Sequence, residues 1–376
     1  MSEAPAEKKV EYLELIYDLI FVYVIGRNNS LLQHLENGFV SGQIFLAYVL
    51  CTLAVIQIWN YSTFYINVYG RNGVRDHVFL CVNMFLLYFI ADATGAHWQE
   101  SFYQYSTAWA LILLNLALQH FIEIRNHPDA PQEVAQLRRK GLIILVEAAL
   151  VGLHMVFFHR TGVSLAALPI LFGVAAMVLS SRRGALACVD FAHLSERAML
   201  YVVFTFGEMI IAVSGYFGEG FTVNNVYFAA MAFLIVVGLF LGYGTFYNKI
   251  LDREIRTSGV EYMAIHILLI FALNNITTSL EFMREESVSL LPKTVFLTTS
   301  FVLYYLCLFL TGAYAKKRCR LNRPFLLLLL AVGAAFVALM LLLRQQMYLN
   351  IALTVLFVFG VYGLIRNRAG DMVRPA

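Results

Sequence analysis

Apolar runs separated by short polar stretches recur along the whole chain. A helix needs roughly 20 mostly apolar residues to cross the hydrocarbon core of a bilayer. Twelve segments meet or approach that length: 15–34, 43–67, 77–96, 102–124, 141–158, 163–180, 197–217, 224–248, 259–280, 293–315, 324–343 and 347–365. The pattern predicts an all-α polytopic membrane protein with about twelve transmembrane helices. Asp18, Arg27 and Gln33 interrupt the first run. The fifth and sixth runs are short and meet at His159-Arg160-Thr161-Gly162, which reads as the turn of a helical hairpin.

The basic residues give an independent test, because Lys and Arg concentrate in cytoplasmic loops. With twelve spans and a cytoplasmic N-terminus, nearly all of the 27 Lys and Arg residues fall on the inner side. The exceptions are Arg160, Arg284, Lys293 and Arg344 outside, and Arg27 within the first span. The expected topology has both termini in the cytoplasm.

Composition then excludes whole classes. Of 376 residues 60% are hydrophobic and 14% charged, and the mean hydropathy is +0.71. Soluble domains carry roughly 25% charged residues, so a soluble enzyme and a disordered chain are both excluded. A net charge of +3 is too small to suggest a nucleic-acid partner. Glu3, Glu7 and Glu11 precede the first apolar run, so no cleavable signal peptide is expected. Cys51, Cys81, Cys188, Cys307 and Cys319 show neither CxxC spacing nor a placement suited to an outer disulfide.

An internal echo suggests duplication. Tyr61-Ser-Thr-Phe-Tyr65 recurs as Tyr243-Gly-Thr-Phe-Tyr247, and the same offset lays Glu14 on Glu196 and Gly26-Arg27 on Glu208-Met209. The expected plan is a cytoplasmic head (1–13), a six-helix repeat (14–181), a cytoplasmic linker (182–195), a second six-helix repeat (196–366) and a cytoplasmic tail (367–376). Six spans per half make the repeats parallel, one of the architectures of secondary transporters.

Charges inside a bilayer cost roughly 2.5–3.5 kcal/mol each at mid-helix, so each calls for a partner or a purpose. Glu208 lies twelve residues beyond Glu196, about 18 Å along a helix and near mid-membrane. Arg27 reaches a comparable depth in the first span, so the two are expected to face each other, directly or through a polar neighbour, either as an ion pair locking the halves or as a substrate or proton site at the repeat interface. Glu14 and Asp18 share one helix face; they either take up a proton or dock on arginines such as Arg197 and Arg75. Glu147 with His154, and His120 with Glu123, form candidate carboxylate–imidazole pairs. Haem ligation by His120, His154 or His266 is less expected than histidines bonding across helices, and neither a cofactor nor a metal is expected. The tyrosines of the YxTFY pair fit an interfacial aromatic belt best. Gly238-x-x-x-Gly242 offers a thin face for helix packing.

At Glu14-Leu-Ile-Tyr-Asp18, at Glu196-Arg197 followed by Gly207-Glu208, and at Trp59…Tyr65-x-Asn67 with downstream Arg75, the chain resembles the bacterial low temperature requirement protein A family. The resemblance implies a multi-pass protein of the bacterial cytoplasmic (inner) membrane. Together with the parallel repeats and midplane charges, it leads to an expected secondary transporter or permease, proton-coupled, with its site between the repeats. Its partners would be the lipid bilayer and a small-molecule or ion substrate. The alternative is a non-transporting accessory or stress-adaptation protein, or one acting on lipid. No nucleophile–base pair, phosphate loop or dinucleotide loop favours an enzyme.

Overall fold

A computed structural model describes residues 8–94, 98–183, 189–217, 220–285 and 287–371. Glu3, Glu7, Cys188 and part of the linker lie outside the described residues. Among the described residues the chain forms twelve α-helices: α1 (Tyr12–Asn28), α2 (Gly42–Tyr69), α3 (Val74–Ala93), α4 (Trp98–Glu123), α5 (Pro131–Thr161), α6 (Ala167–Arg183), α7 (Phe191–Ser214), α8 (Val223–Thr245), α9 (Val260–Arg284), α10 (Leu290–Leu310), α11 (Arg323–Leu342) and α12 (Met347–Asp371).

Ten of the helices are long and apolar enough to cross a membrane. The other two, α1 and α6, have 17 residues each, about 26 Å at 1.5 Å per residue and short of a ~30 Å core. The first apolar run does not stay helical to residue 34. Beyond Asn28 the chain tightens into a 3-10 turn, Asn29–Gln33, where the Ser30 hydroxyl bonds back to the Arg27 carbonyl at 2.7 Å, the local competition that ends helices. A two-residue-stranded hairpin follows, β1 (Leu35–Glu36) and β2 (Phe39–Val40). Asn37 and Gly38 at its turn both have positive φ, 53° and 83°, the dipeptide such tight turns select. Conversely, α5 begins ten residues before its apolar run, because Pro131 at its first turn starts the helix in polar sequence. Gly162, at φ +70°, ends it.

The burial pattern is that of a protein whose solvent is lipid. Leu327, Leu330, Leu342, Leu356 and Phe85 stand exposed, while Glu14, Asp18, Glu123, Glu147 and Arg197 are buried. Beyond Arg323, α11 is apolar throughout, yet it is only 11% buried in its most apolar stretch.

The chain divides into two compact units. The first comprises residues 1–34, 42–201 and 256–263; the second comprises 35–41, 202–255 and 264–376. In the first, α4 lies along both α3 and α5, and α6 packs on α2 and α5. In the second, α12 packs on α8. A Cβ at Gly238 would stand 2.5 Å from Val358, so this glycine does allow a close helix approach. Gly242 has no neighbour within 4 Å of such a Cβ, so the paired-glycine face is only half used.

Candidate functional site

The first unit gathers its charges around one buried arginine. Glu14 and Asp18 stand one turn apart on α1, and both turn to Arg197 in the first two turns of α7. Arg197 Nη1 donates to Glu14 Oε2 at 2.5 Å, Nη2 to Asp18 Oδ1 at 2.5 Å, and Nε to Asp18 Oδ2 at 3.1 Å. Arg197 and Asp18 are 0% exposed, and Glu14 is 4% exposed. The planar guanidinium fork suits this task, since it can hold one carboxylate with two donors and a second carboxylate with a third. Of the two arginines expected for the pair, only Arg197 takes it.

Helix α2 completes the arrangement. Trp59 Nε1 donates to Asp18 Oδ1 at 2.8 Å, and its ring meets that of Tyr201 edge-on at 4.6 Å. Trp59→Phe keeps the ring and removes the donor. A hydrogen bond to a charged group contributes roughly 1.5–3 kcal/mol, and the variant is expected to lose about 1.5 kcal/mol in thermal unfolding of the detergent-solubilised chain.

His193 is one turn before Arg197, with Nε2 3.4 Å from Glu14 Oε2 and Nδ1 3.0 Å from Asn67 Nδ2. Asp190 caps α7 by accepting from the His193 N–H at 3.1 Å. Asn67 fastens that cap to α2, donating to the Asp190 carbonyl and accepting from its N–H. Lys8 closes the foot of the unit. Its N–H donates to Asp190 Oδ2, and its ammonium donates to the carbonyls of Ile66 and Gly70 at the end of α2. Burial pulls the Lys8 ammonium below the usual lysine range, against the raising pull of the Glu14 and Asp76 carboxylates.

Two carboxylates thus share the single positive charge of Arg197, with the Lys8 ammonium near Glu14. Beside them is a recess of about 440 Å³ whose wall includes Glu14, along with Lys8, Lys9, Glu11, Arg71, Asp76 and His77. Of the triad, Glu14 borders this recess.

A second cluster ties helix ends together. Glu123, fully buried at the end of α4, pairs with Arg75 at the start of α3 and lies 3.8 Å from Arg71. It also accepts from Asn126 at 2.9 Å, His127 at 3.0 Å and Tyr65 at 3.4 Å. His120 does not join it. Its Nδ1 bonds the Leu116 carbonyl of its own helix, and its ring lies edge-on to Tyr65.

The third cluster is inside the helices. Tyr61 donates to Glu147 Oε2 at 2.6 Å, and Gln57 donates to the Tyr61 hydroxyl at 2.6 Å. His154, expected beside Glu147, instead accepts from the Leu165 N–H at 2.9 Å and so shapes the α5–α6 turn. Tyr61 and Tyr65 are 7% and 1% exposed. They are not belt residues, because each uses its hydroxyl on a buried carboxylate.

Glu196 is half-buried beside Arg197. Arg27 is exposed in the last turn of α1, within the first unit, while Glu208 is half-buried on α7 within the second. In that second unit, Tyr243 bonds His266 at 3.2 Å, and α9 carries a buried polar run from Asn274 to Ser279. The apolar residues around it keep the average of α9 high, so the run leaves little mark on the hydropathy pattern.

Ten long apolar helices, with lipid-facing leucines outside and paired charges inside, define a multi-span helical membrane protein. The chain belongs to the bacterial low temperature requirement A protein (LtrA) family, whose model matches residues 9–358. No curated protein and no solved structure matches it.

Proposed function

We propose that this protein is a proton-coupled secondary transporter or permease of the bacterial inner membrane. In this reading the chain crosses twelve times as two parallel six-helix repeats, with both termini cytoplasmic, and the short helices α1 and α6 complete the count. The observation that carries the reading is the recess bordered by Glu14, which Arg197 joins to Asp18. Two carboxylates sharing the single charge of Arg197 are costly in a low-dielectric interior unless further positive charge comes near, as the Lys8 ammonium of the recess does for Glu14. A proton or a cationic substrate group arriving through the recess meets that need at Glu14. Arg197 keeps the two carboxylates in place while the third charge comes and goes. Transporters commonly place substrate and ion sites among such buried polar groups.

The test is an untargeted comparison of cell contents and spent medium between a deletion strain and the same strain complemented with the wild-type chain. Transport predicts a small molecule that shifts between the two compartments on deletion and returns on complementation. An unchanged distribution, with the chain present in the membrane, contradicts transport and favours a non-transporting accessory role.

A further inference from the structure

Glu147 occupies an unusual place. It lies at the midpoint of α5, fully buried, and pairs with no Lys, Arg or His among the described residues. Its Oε2 accepts from Tyr61, while Oε1 has no hydrogen-bond partner. Gln57, one turn before Tyr61 on α2, donates to Tyr61 and, at 3.4 Å, to the Ile170 carbonyl of α6, and its own Oε1 is also unpartnered. Gly173 of α6 makes the room. A Cβ there would collide with Glu147 Oε2, Gln57 Nε2 and the Tyr61 hydroxyl together. Three helices thus enclose a polar pocket that, among the described residues, holds no cation. The ionisable groups nearest along α5 are Lys140 and His154, seven residues to either side and roughly 10 Å away along the axis. His154 is engaged by the Leu165 N–H. Helix α2 presents only Tyr61 as a titratable neighbour, and α6 presents a carbonyl and a glycine. From α4, which also packs along α5, the ionisable groups His120 and Glu123 are turned to Leu116 and to Arg75 and His127.

An isolated ionised carboxylate in such surroundings is so costly that the group neutralises instead. We infer that Glu147 is a proton-binding site: the pocket of Gln57, Tyr61 and Gly173 holds its carboxyl un-ionised, and it releases the proton only when the pocket opens to water. Release breaks the carboxyl O–H bond and passes the proton to a water molecule. Reclosure of the pocket requires the proton back. This site is separate from the Arg197 triad and stands whether or not a substrate moves through the chain.

Infrared spectra of the full chain in lipid vesicles test it without any substrate. At neutral pH the wild-type chain should show the carbonyl band of an un-ionised carboxyl group that Glu147→Gln loses. Tyr61→Phe, which removes the hydrogen bond and keeps the acid, should shift that band. The glutamine is neutral and can still accept from Tyr61, so the variant is expected to fold. If it does not, Gly173→Ala supplies the readout, since its methyl group displaces the carboxyl and should move the band. Wild-type and Glu147→Gln spectra that superimpose, or a band indifferent to both Tyr61→Phe and Gly173→Ala, would overturn the inference. A band that behaves as expected in a chain that moves no small molecule would sink the transport reading alone.

Discussion

Arg197→Met will cost the protein about 3–5 kcal/mol, because it strands two carboxylates in a buried site with no positive charge between them. The expected result is a large fall in monodisperse protein extracted from membranes, with a lower unfolding temperature for what remains. Adding Glu14→Gln and Asp18→Asn to the same chain should restore most of that loss, since replacing a whole buried ion group by neutral residues is often harmless where removing one partner is not. Arg197→Lys should fall between the two. One ammonium cannot reproduce the three N–H directions that reach Asp18 twice and Glu14 once. Wild-type amounts of Arg197→Met would mean that the triad holds nothing together.

Glu123→Gln has the next largest expected effect, about 2–4 kcal/mol. The carboxylate gathers donors from α2 through Tyr65, from the loop before α3 through Arg71, from α3 through Arg75, and from the turn after α4 through Asn126 and His127. Hydrogen bonds to a charged group bring roughly 1.5–3 kcal/mol each but do not add when they share one acceptor. An amide keeps the shape, halves the acceptor capacity and removes the charge. Hydrogen exchange should therefore quicken in residues 70–74 and 124–130, where these helix ends meet, before the helix interiors respond. Unchanged exchange in both segments would show that Glu123 is not the tie between them.

The helices themselves were legible from hydrophobic runs, because a membrane span must satisfy its backbone internally and clothe it in apolar side chains. Where the runs misled, local polar chemistry decided the outcome. Ser30 and the Asn37-Gly38 turn cut the first helix short, and Pro131 began the fifth early. Of the buried charges, Glu14, Asp18, Arg197 and Glu147 stood out because ionisable residues are rare in apolar sequence. Their partners were less visible. Trp59 and Asn67 entered only through the family resemblance, and His193 and Asp190 are ordinary residues until α2 and α7 bring them together beside Asp18 and Glu14. The role of α2 was the least visible. Gln57, Trp59, Tyr61, Tyr65 and Asn67 each touch a different member of the buried network. In sequence they read as an aromatic stretch near a membrane surface. Burial turned those tyrosines from belt residues into hydrogen-bond donors, and one-dimensional patterning carries no signal for that change.

If the triad is a working site, it takes a proton or cation at Glu14, and Glu14→Gln tests that most directly. The substitution removes one of the two carboxylates while leaving Asp18 on Arg197, so the chain should accumulate in the membrane at wild-type levels. With the triad's own carboxylate at the recess gone, complementation of the deletion strain should fail, and the small-molecule distribution should stay that of the deletion. A Glu14→Gln chain present at normal levels that restores the wild-type distribution would contradict the account and leave the triad as a structural clasp.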